Sequence, residues 1–211
     1  MEVEPFEAVY PVMTWDVGPD GCATAPAILR FMQEAAIRHA EILGVGFADL
    51  AVSSLFWGIS RLTMRIHNLP KRDDAVRLRT WPSGNDRLFF YRRFELEGNR
   101  GPVVSATTAW IVIDAHRRRH VTAANAPFSV PRGNVEEEAW KPIKVPRPGV
   151  PKGETDWLSV NGRHLDLVGH ANHICYAEWM IDSLDWEFQK RHRLAGLHIN
   201  WLSETHAGDR I

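Results

Sequence analysis

The chain is poor in cysteine, has no excess of charge of either sign, and contains no long apolar run. Only two cysteines occur in 211 residues, Cys22 and Cys175. They are too few for a disulfide scaffold and do not form the CxxC pairs of a metal knuckle; a reducing compartment fits them best. Lys plus Arg number 25 against 26 Asp plus Glu, so the basic surplus of a nucleic-acid binder is missing. No stretch approaches the roughly 18 consecutive apolar residues of a membrane-spanning helix. The opening Met1-Glu2-Val3-Glu4-Pro5 is acidic and broken by proline, unlike a secretory signal or an Arg-rich transit peptide. A cytoplasmic protein is the expectation. Against these absences stand 45% hydrophobic and 24% charged residues, the proportions of a globular chain with a full core, which excludes disorder as the main state.

Patterning predicts a strand over Phe6 to Met13, then a turn through Asp16, Gly18, Pro19, Asp20 and Gly21. Thr24 is a good N-cap and Pro26 falls in the first helical turn, where its missing N–H costs little. Ala27, Ile28, Phe31, Met32, Ala35, Ile42 and Leu43 recur at helical spacing up to a stop at Gly44, giving one helix of about 20 residues. Four strands follow, at Trp57 to Ile66, Val76 to Trp81, Leu88 to Leu96 and Val103 to Ile113. Strand, long helix and four strands make an α+β module whose helix covers one face of an antiparallel sheet. Residues 125–156, with prolines recurring from Pro127 to Pro151 and an acidic Glu136-Glu137-Glu138, read as a linker lying extended on the surface, anchored by Trp140 and Ile143.

After Trp157 the opening pattern returns. A strand is expected at Leu158 to Leu165, a helix through Ile174, Ala177, Met180, Ile181, Leu184 and Phe188, and a strand at Leu197 to Leu202. Asp16-Val17 and Asp166-Leu167 occupy equivalent places in this reading, 150 residues apart. A duplicated module results, residues 1–124 and 157–211, the second truncated by roughly 50 residues relative to the first.

The densest chemical signal is the run from His164 to Trp179, His164-Leu165-Asp166-Leu167-Val168-Gly169-His170-Ala171-Asn172-His173-Ile174-Cys175-Tyr176-Ala177-Glu178-Trp179. An acid precedes a histidine by four residues where a helix begins, and the N–H groups there are unpaired and carry the positive end of the dipole. Such a place can polarise a carbonyl oxygen while a carboxylate attacks it or activates water. The plain alternative is an Asp that caps the helix with a His packed beside it.

These residues resemble the double-hotdog acyl-ACP thioesterases of bacteria and plant plastids. That family carries an Asp, an Asn two residues on and a His four residues on, then an Asn pair, a Tyr and a Trp. Asp166, His170, Asn172, Tyr176 and Trp179 stand at the matching places, and the family's further catalytic Glu matches Glu204 in Asn200-Trp201-Leu202-Ser203-Glu204. Met32-Gln33-Glu34-Ala35-Ala36, Trp57-Gly58-Ile59-Ser60-Arg61, Thr80-Trp81-Pro82, Arg92-Arg93-Phe94 and Trp110 to Asp114 also look like it, so the resemblance spans nearly the whole chain. Two places depart: Val168 stands where the family has an Asn, and valine neither donates nor accepts a hydrogen bond, while His173 replaces the second Asn of the pair.

The resemblance implies a tandem double hotdog that hydrolyses the thioester of fatty acyl-ACP, releasing free fatty acid and ending fatty acid synthesis. Asp166 would be nucleophile or base-positioning carboxylate, His170 would orient the carbonyl or shuttle a proton, and Glu204 would activate water. The acyl chain would thread into the first module, with Trp57, Met32, Phe31 and Trp81 as candidate lining and core packing as the plainer role for any one of them. The partner would be the acidic acyl carrier protein with its acyl-phosphopantetheine, for which the basic turn Arg117-Arg118-Arg119 offers a dock; its plain alternative is a solvated hairpin end. A homodimer stays open. Neither cofactor nor metal is implied: His164, His170 and His173, spaced six and three apart, match no standard zinc site. Cys175 reads as a small core residue, and Gly44-Val45-Gly46 as a helix stop rather than a phosphate loop. An acyl-CoA hydrolase of the same fold and a non-catalytic acyl-chain binder are the competing readings.

Overall fold

Along Val76 to Thr80 apolar and charged residues alternate, and a strand so patterned has one face to bury. The structure, a computed structural model describing residues 2–133, 140–147, 149 and 157–211, lays a long helix on that face. The elements in order are β1 (Glu2–Val3), β2 (Phe6–Pro11), α1 (Ala25–Ile42), α2 (Phe47–Ala51), β3 (Leu55–Ile66), β4 (Ala75–Asn85), β5 (Phe90–Gly98), β6 (Gly101–Asp114), β7 (Arg119–Val121), β8 (Arg132–Gly133), α3 (His173–Asp182), α4 (Trp186–Arg191) and β9 (Gly196–Asn200). The main sheet runs β2-β4-β5-β6-β3-β9, antiparallel throughout, with β7 paired to β6; β1 and β8 form a small parallel pair. No helix among the described residues is long and apolar enough to cross a membrane.

Helix α1 begins as its sequence dictates, with the Thr24 hydroxyl accepting from Ala27 N at 3.2 Å and Pro26 in the first turn. Its Ile28, Leu29, Met32 and Ala35 bury against Leu62, Met64, Leu78, Phe94 and Leu96, each large side chain contributing roughly 1.5–3 kcal/mol. Beneath the helix lies a buried cation: Arg92 Nη1 donates to His39 Nδ1 (3.1 Å) and Thr80 Oγ1 (3.3 Å). Burial pushes the guanidinium down to about 10, and burial together with Arg92 holds the His39 imidazole down to about 4.

The core does not stop at the linker. Ile174 and Ala177 of α3 and Leu197 and Ile199 of β9 belong to the same cluster as α1, and β9 extends the sheet beside β3 with Leu62 opposite Ile199 and Met64 opposite Leu197. The backbones approach closely there: a Cβ on Gly196 would lie 2.5 Å from the Met64 carbonyl oxygen. A bulge between Ile59 and Arg61 turns the Ser60 carbonyl outward to accept from Trp201 N (3.0 Å).

Three expectations need correction. Leu158 to Leu165 is not a strand; it holds isolated bridges, Ser159 to Arg210 and Leu165 to Ala171, around a 3-10 turn at Gly162–His164. The second helix breaks after Asp182 and restarts as α4, whose N-cap Asp185 accepts from Phe188 N (3.0 Å). The repeat is offset by 148 residues rather than 150: the bridge Val17 to Ala23 and the cap Thr24 of the first copy match Leu165 to Ala171 and Asn172 of the second. Of the segment 125–156, the acidic run and Pro151 lie outside the described residues. What is described crosses the outer sheet face, with Trp140 under the Arg93 guanidinium (4.7 Å) and Ile143 N donating to Thr63 Oγ1 (2.9 Å). Ile143 anchors through its backbone, for its side chain is exposed.

Candidate active site

The turn 165–171 is folded around a carboxylate. Asp166 Oδ1 accepts from Val168 N (3.0 Å) and His170 N (3.1 Å), while the Asp166 backbone exchanges bonds with His170 O (2.8 Å) and Gly169 N (3.1 Å). Gly169 sits at φ +79, where a side chain would be strained. Asp166 and His170 thus precede α3. Most N–H groups there are engaged: those of residues 168–172, Ile174 and Cys175 have acceptors, among them Thr205 O for Ala171 and His164 O for Asn172.

Glu204 lies four residues past the end of β9. Its register against His170 is set by its neighbour Thr205, whose carbonyl takes Ala171 N (2.8 Å) and whose Oγ1 accepts from Tyr176 Oη (2.5 Å). His170 Nε2 then stands 3.6 Å from Glu204 Oε2. The same carboxylate oxygen is ion-paired to Arg118, whose guanidinium rides 5.8 Å over the Phe56 ring. Phe56 and His206 flank the His170 ring at 6.1 and 4.9 Å between centroids. Burial lowers the pKa of His170, with Asp166 opposing and His206 and Arg118 reinforcing. The imidazole is therefore mostly neutral near pH 7.

All three expected site residues share this one place. Sequence reasoning gave Arg118 only a surface role and missed His206, Thr205 and Phe56, which no local spacing links to the Asp-His pair. His170, Glu204 and His206 hold ligand atoms within 4.8 Å of one another, a trio that could take a metal ion. A cation there would have to displace the guanidinium already on Glu204. The other histidines serve elsewhere. His164 is buried, its Nδ1 accepting from Asn161 N (3.2 Å) and its ring edge-on to Trp179. His173 stands between Trp110 and Trp201, and burial pushes it down to about 4. Cys175 is a buried thiol raised by burial, in the core as expected.

A shallow apolar cleft, open to solvent, lies between α1, the sheet and the start of α3; Met32, Ile59, Phe94, Trp110, His173 and Trp201 are among its walls. His173 and Trp201 each stand three residues from a polar site residue, His170 and Glu204. Of the four candidate lining residues only Met32 faces this cleft, and the other three pack elsewhere. Trp57 donates to Val45 O (2.8 Å) in a second apolar cluster, Phe31 stacks on Tyr10, and Trp81 packs on Gly133.

Known proteins match this arrangement along its length. The family model for the acyl-ACP thioesterase N-terminal domain matches residues 4–126, and that for the C-terminal domain matches residues 151–211. A palmitoyl-acyl carrier protein thioesterase of Gossypium hirsutum is 24% identical over 94% of this chain and 52% of its own length. Oleoyl-acyl carrier protein thioesterase 1 of Arabidopsis thaliana is 24% identical over 98% of this chain and 62% of its own. The chain thus spans little more than half the length of these relatives. Among solved structures, an acyl-ACP thioesterase from Bacteroides thetaiotaomicron matches with TM-score 0.78 at 21% identity, covering 97% of this chain and 83% of that one. The 12:0-ACP thioesterase from Umbellularia californica matches with TM-score 0.79 at 18% identity, covering 98% and 80%. The fold is that of the hotdog thioesterases, an α+β helix-on-sheet architecture.

Proposed function

We propose, from the premise that the chain belongs to the acyl-ACP thioesterase family, that its site hydrolyses the thioester of a fatty acyl group held on acyl carrier protein in the cytoplasm. The observation that carries this is the meeting of His170 and Glu204, brought from segments 34 residues apart to 3.6 Å beside an apolar cleft. That separation exceeds a direct hydrogen bond, so each group keeps a partner position for the substrate.

In this reading the acyl chain lies in the cleft and the thioester carbon faces His170 and Glu204. Glu204 takes a proton from water as the oxygen attacks the carbonyl carbon. The neutral imidazole of His170 donates to the carbonyl oxygen as negative charge grows there. The C–S bond then breaks, the sulfur leaves as the phosphopantetheine thiolate and regains the proton held by Glu204, and free fatty acid remains. Asp166 acts by position: two N–H groups on one of its oxygens blunt it as a nucleophile and fix the His170 backbone. The two modules, 1–124 and 157–211, with 125–156 joining them, each supply part of the site.

Release of free thiol from acyl-ACP and acyl-CoA tests the reading. Glu204→Gln is expected to lower kcat on both by about 10²–10⁴; equal rates for it and the wild type would sink the assignment. Arg117 is 82% exposed, and Arg117→Glu is expected to raise KM for acyl-ACP and leave KM for acyl-CoA in place. A parallel rise in both would remove the carrier protein from that surface.

A further inference from the structure

The hairpin joining β6 to β7 closes without help from the Arg118 side chain. Asp114 Oδ1 accepts from His116 N (2.9 Å) and Arg117 N (2.8 Å), and Arg118 N donates to Asp114 O (2.9 Å). Yet Arg118 occupies φ +52, a left-handed position that glycine or asparagine fills with less strain. Its neighbours Arg117 and Arg119 are exposed. Arg118, exposed like them, reaches across the Phe56 ring to the Glu204 carboxylate of the other module. Stability does not explain this choice, because the pair is 49% and 27% exposed and exposed ion pairs contribute little.

We propose that Arg118 is a positioning residue of the site, supplied by the first module, that holds the Glu204 carboxylate in place against His170. The proposal rests on the hydrolytic reading above and adds a part to it. Arg118 has the fork geometry to fix a carboxylate's orientation where a lysine ammonium does not. Phe56 beneath the guanidinium limits its sideways movement and also borders the imidazole, so one aromatic ring supports both partners.

Arg118→Gly separates this role from a structural one, since glycine suits the backbone position and removes only the side chain. The variant is expected to melt at or above the wild-type temperature, to lose tenfold or more in kcat, and to keep KM within about twofold. Arg118→Lys is expected to recover part of the loss, as a cation without the fork. The His170 imidazole, titrated by NMR, is expected to move up in Arg118→Gly: one neighbouring positive charge goes, while Asp166, Glu204 and His206 stay. Full kcat with an unmoved imidazole titration would overturn the proposal. Full kcat for Arg118→Gly beside a dead Glu204→Gln overturns Arg118 alone, whereas equal hydrolysis by wild type and Glu204→Gln overturns the hydrolytic reading and the use of the contact with it.

Discussion

The turn before α1 and the turn before α3 share their hydrogen bonds nearly one for one. In the first, Gly18 N donates to Cys22 O, Gly21 N to Gly18 O, Thr24 N to Asp16 O, and Met13 N to the Asp16 carboxylate. In the second, Asp166 N donates to His170 O, Gly169 N to Asp166 O, Asn172 N to His164 O, and Asn161 N to the His164 ring. The glycines match too, Gly21 at φ +71 and Gly169 at φ +79. What differs is the chemistry hung on the frame: Gly18, Asp20 and Cys22 in one copy, Asp166, Val168 and His170 in the other. In the first copy Asp20 Oδ1 holds Cys22 N (3.0 Å), and in the second that task has passed to Asp166. The first copy shows that this turn folds without the acid-imidazole pair. The His170 imidazole is therefore not demanded by the turn's architecture, whereas Asp166 carries the structural task that Asp20 carries in the first copy.

The strongest way to break this comparison is to rebuild the second turn in the image of the first. Asp166→Gly, Val168→Asp and His170→Cys together are expected to leave a folded protein by circular dichroism and to lower thiol release by about 10²–10⁴. Retained hydrolysis would mean the difference between the turns carries no catalysis.

A second effect concerns two desolvated imidazoles, one in each module. His39 and His173 are both held down to about 4 by burial, with Arg92 adding to the effect on His39. Below about pH 6.5 the unfolded chain takes up protons on these residues while the folded chain refuses them down to about pH 4. The unfolded state binds more protons across that window, so stability is full above it and falls as the pH drops through it. His39→Gln keeps an acceptor for Arg92 and is expected to flatten the acid limb of Tm against pH. An unchanged limb would place the acid sensitivity outside this pair.

The smallest effect is expected where the copies exchange one acceptor for another. His164→Asp puts the first copy's carboxylate in the second copy's place, and the Asn161 N–H retains a partner. A change in unfolding free energy under about 1 kcal/mol by denaturant titration is expected. A loss of several would show that the edge-on packing of His164 on Trp179 matters more than the turn.

Much of the fold was legible because local physics and tertiary packing agree there. The cap at Thr24, the stop at Gly44, the periodicity of α1 and the alternation of β4 give their elements to within a few residues. The second copy was harder. Leu158 to Leu165 has strand-forming residues but no strand to pair with among the described residues, so bridges and a 3-10 turn form instead. Residue types alone align the repeat on Asp16-Val17 and Asp166-Leu167, because the pairs look alike. Hydrogen bonding aligns Asp16 with His164, which no comparison of residue types would favour. The Asp166–His170 pair was readable from spacing, but Arg118 meets Glu204 across 86 residues of chain, a contact set only by the seam between β3 and β9.

That seam has a further consequence. Because β3 pairs with β6 on one edge and β9 on the other, and Gly196 lets the backbones touch at Met64, ladder bonds and core side chains cross the boundary without interruption. Among the described residues the halves share one sheet and one core, so heating is expected to melt them in one cooperative transition. Any occupant of the cleft is therefore expected to come and go by side-chain motion at its mouth, not by the parting of two lobes.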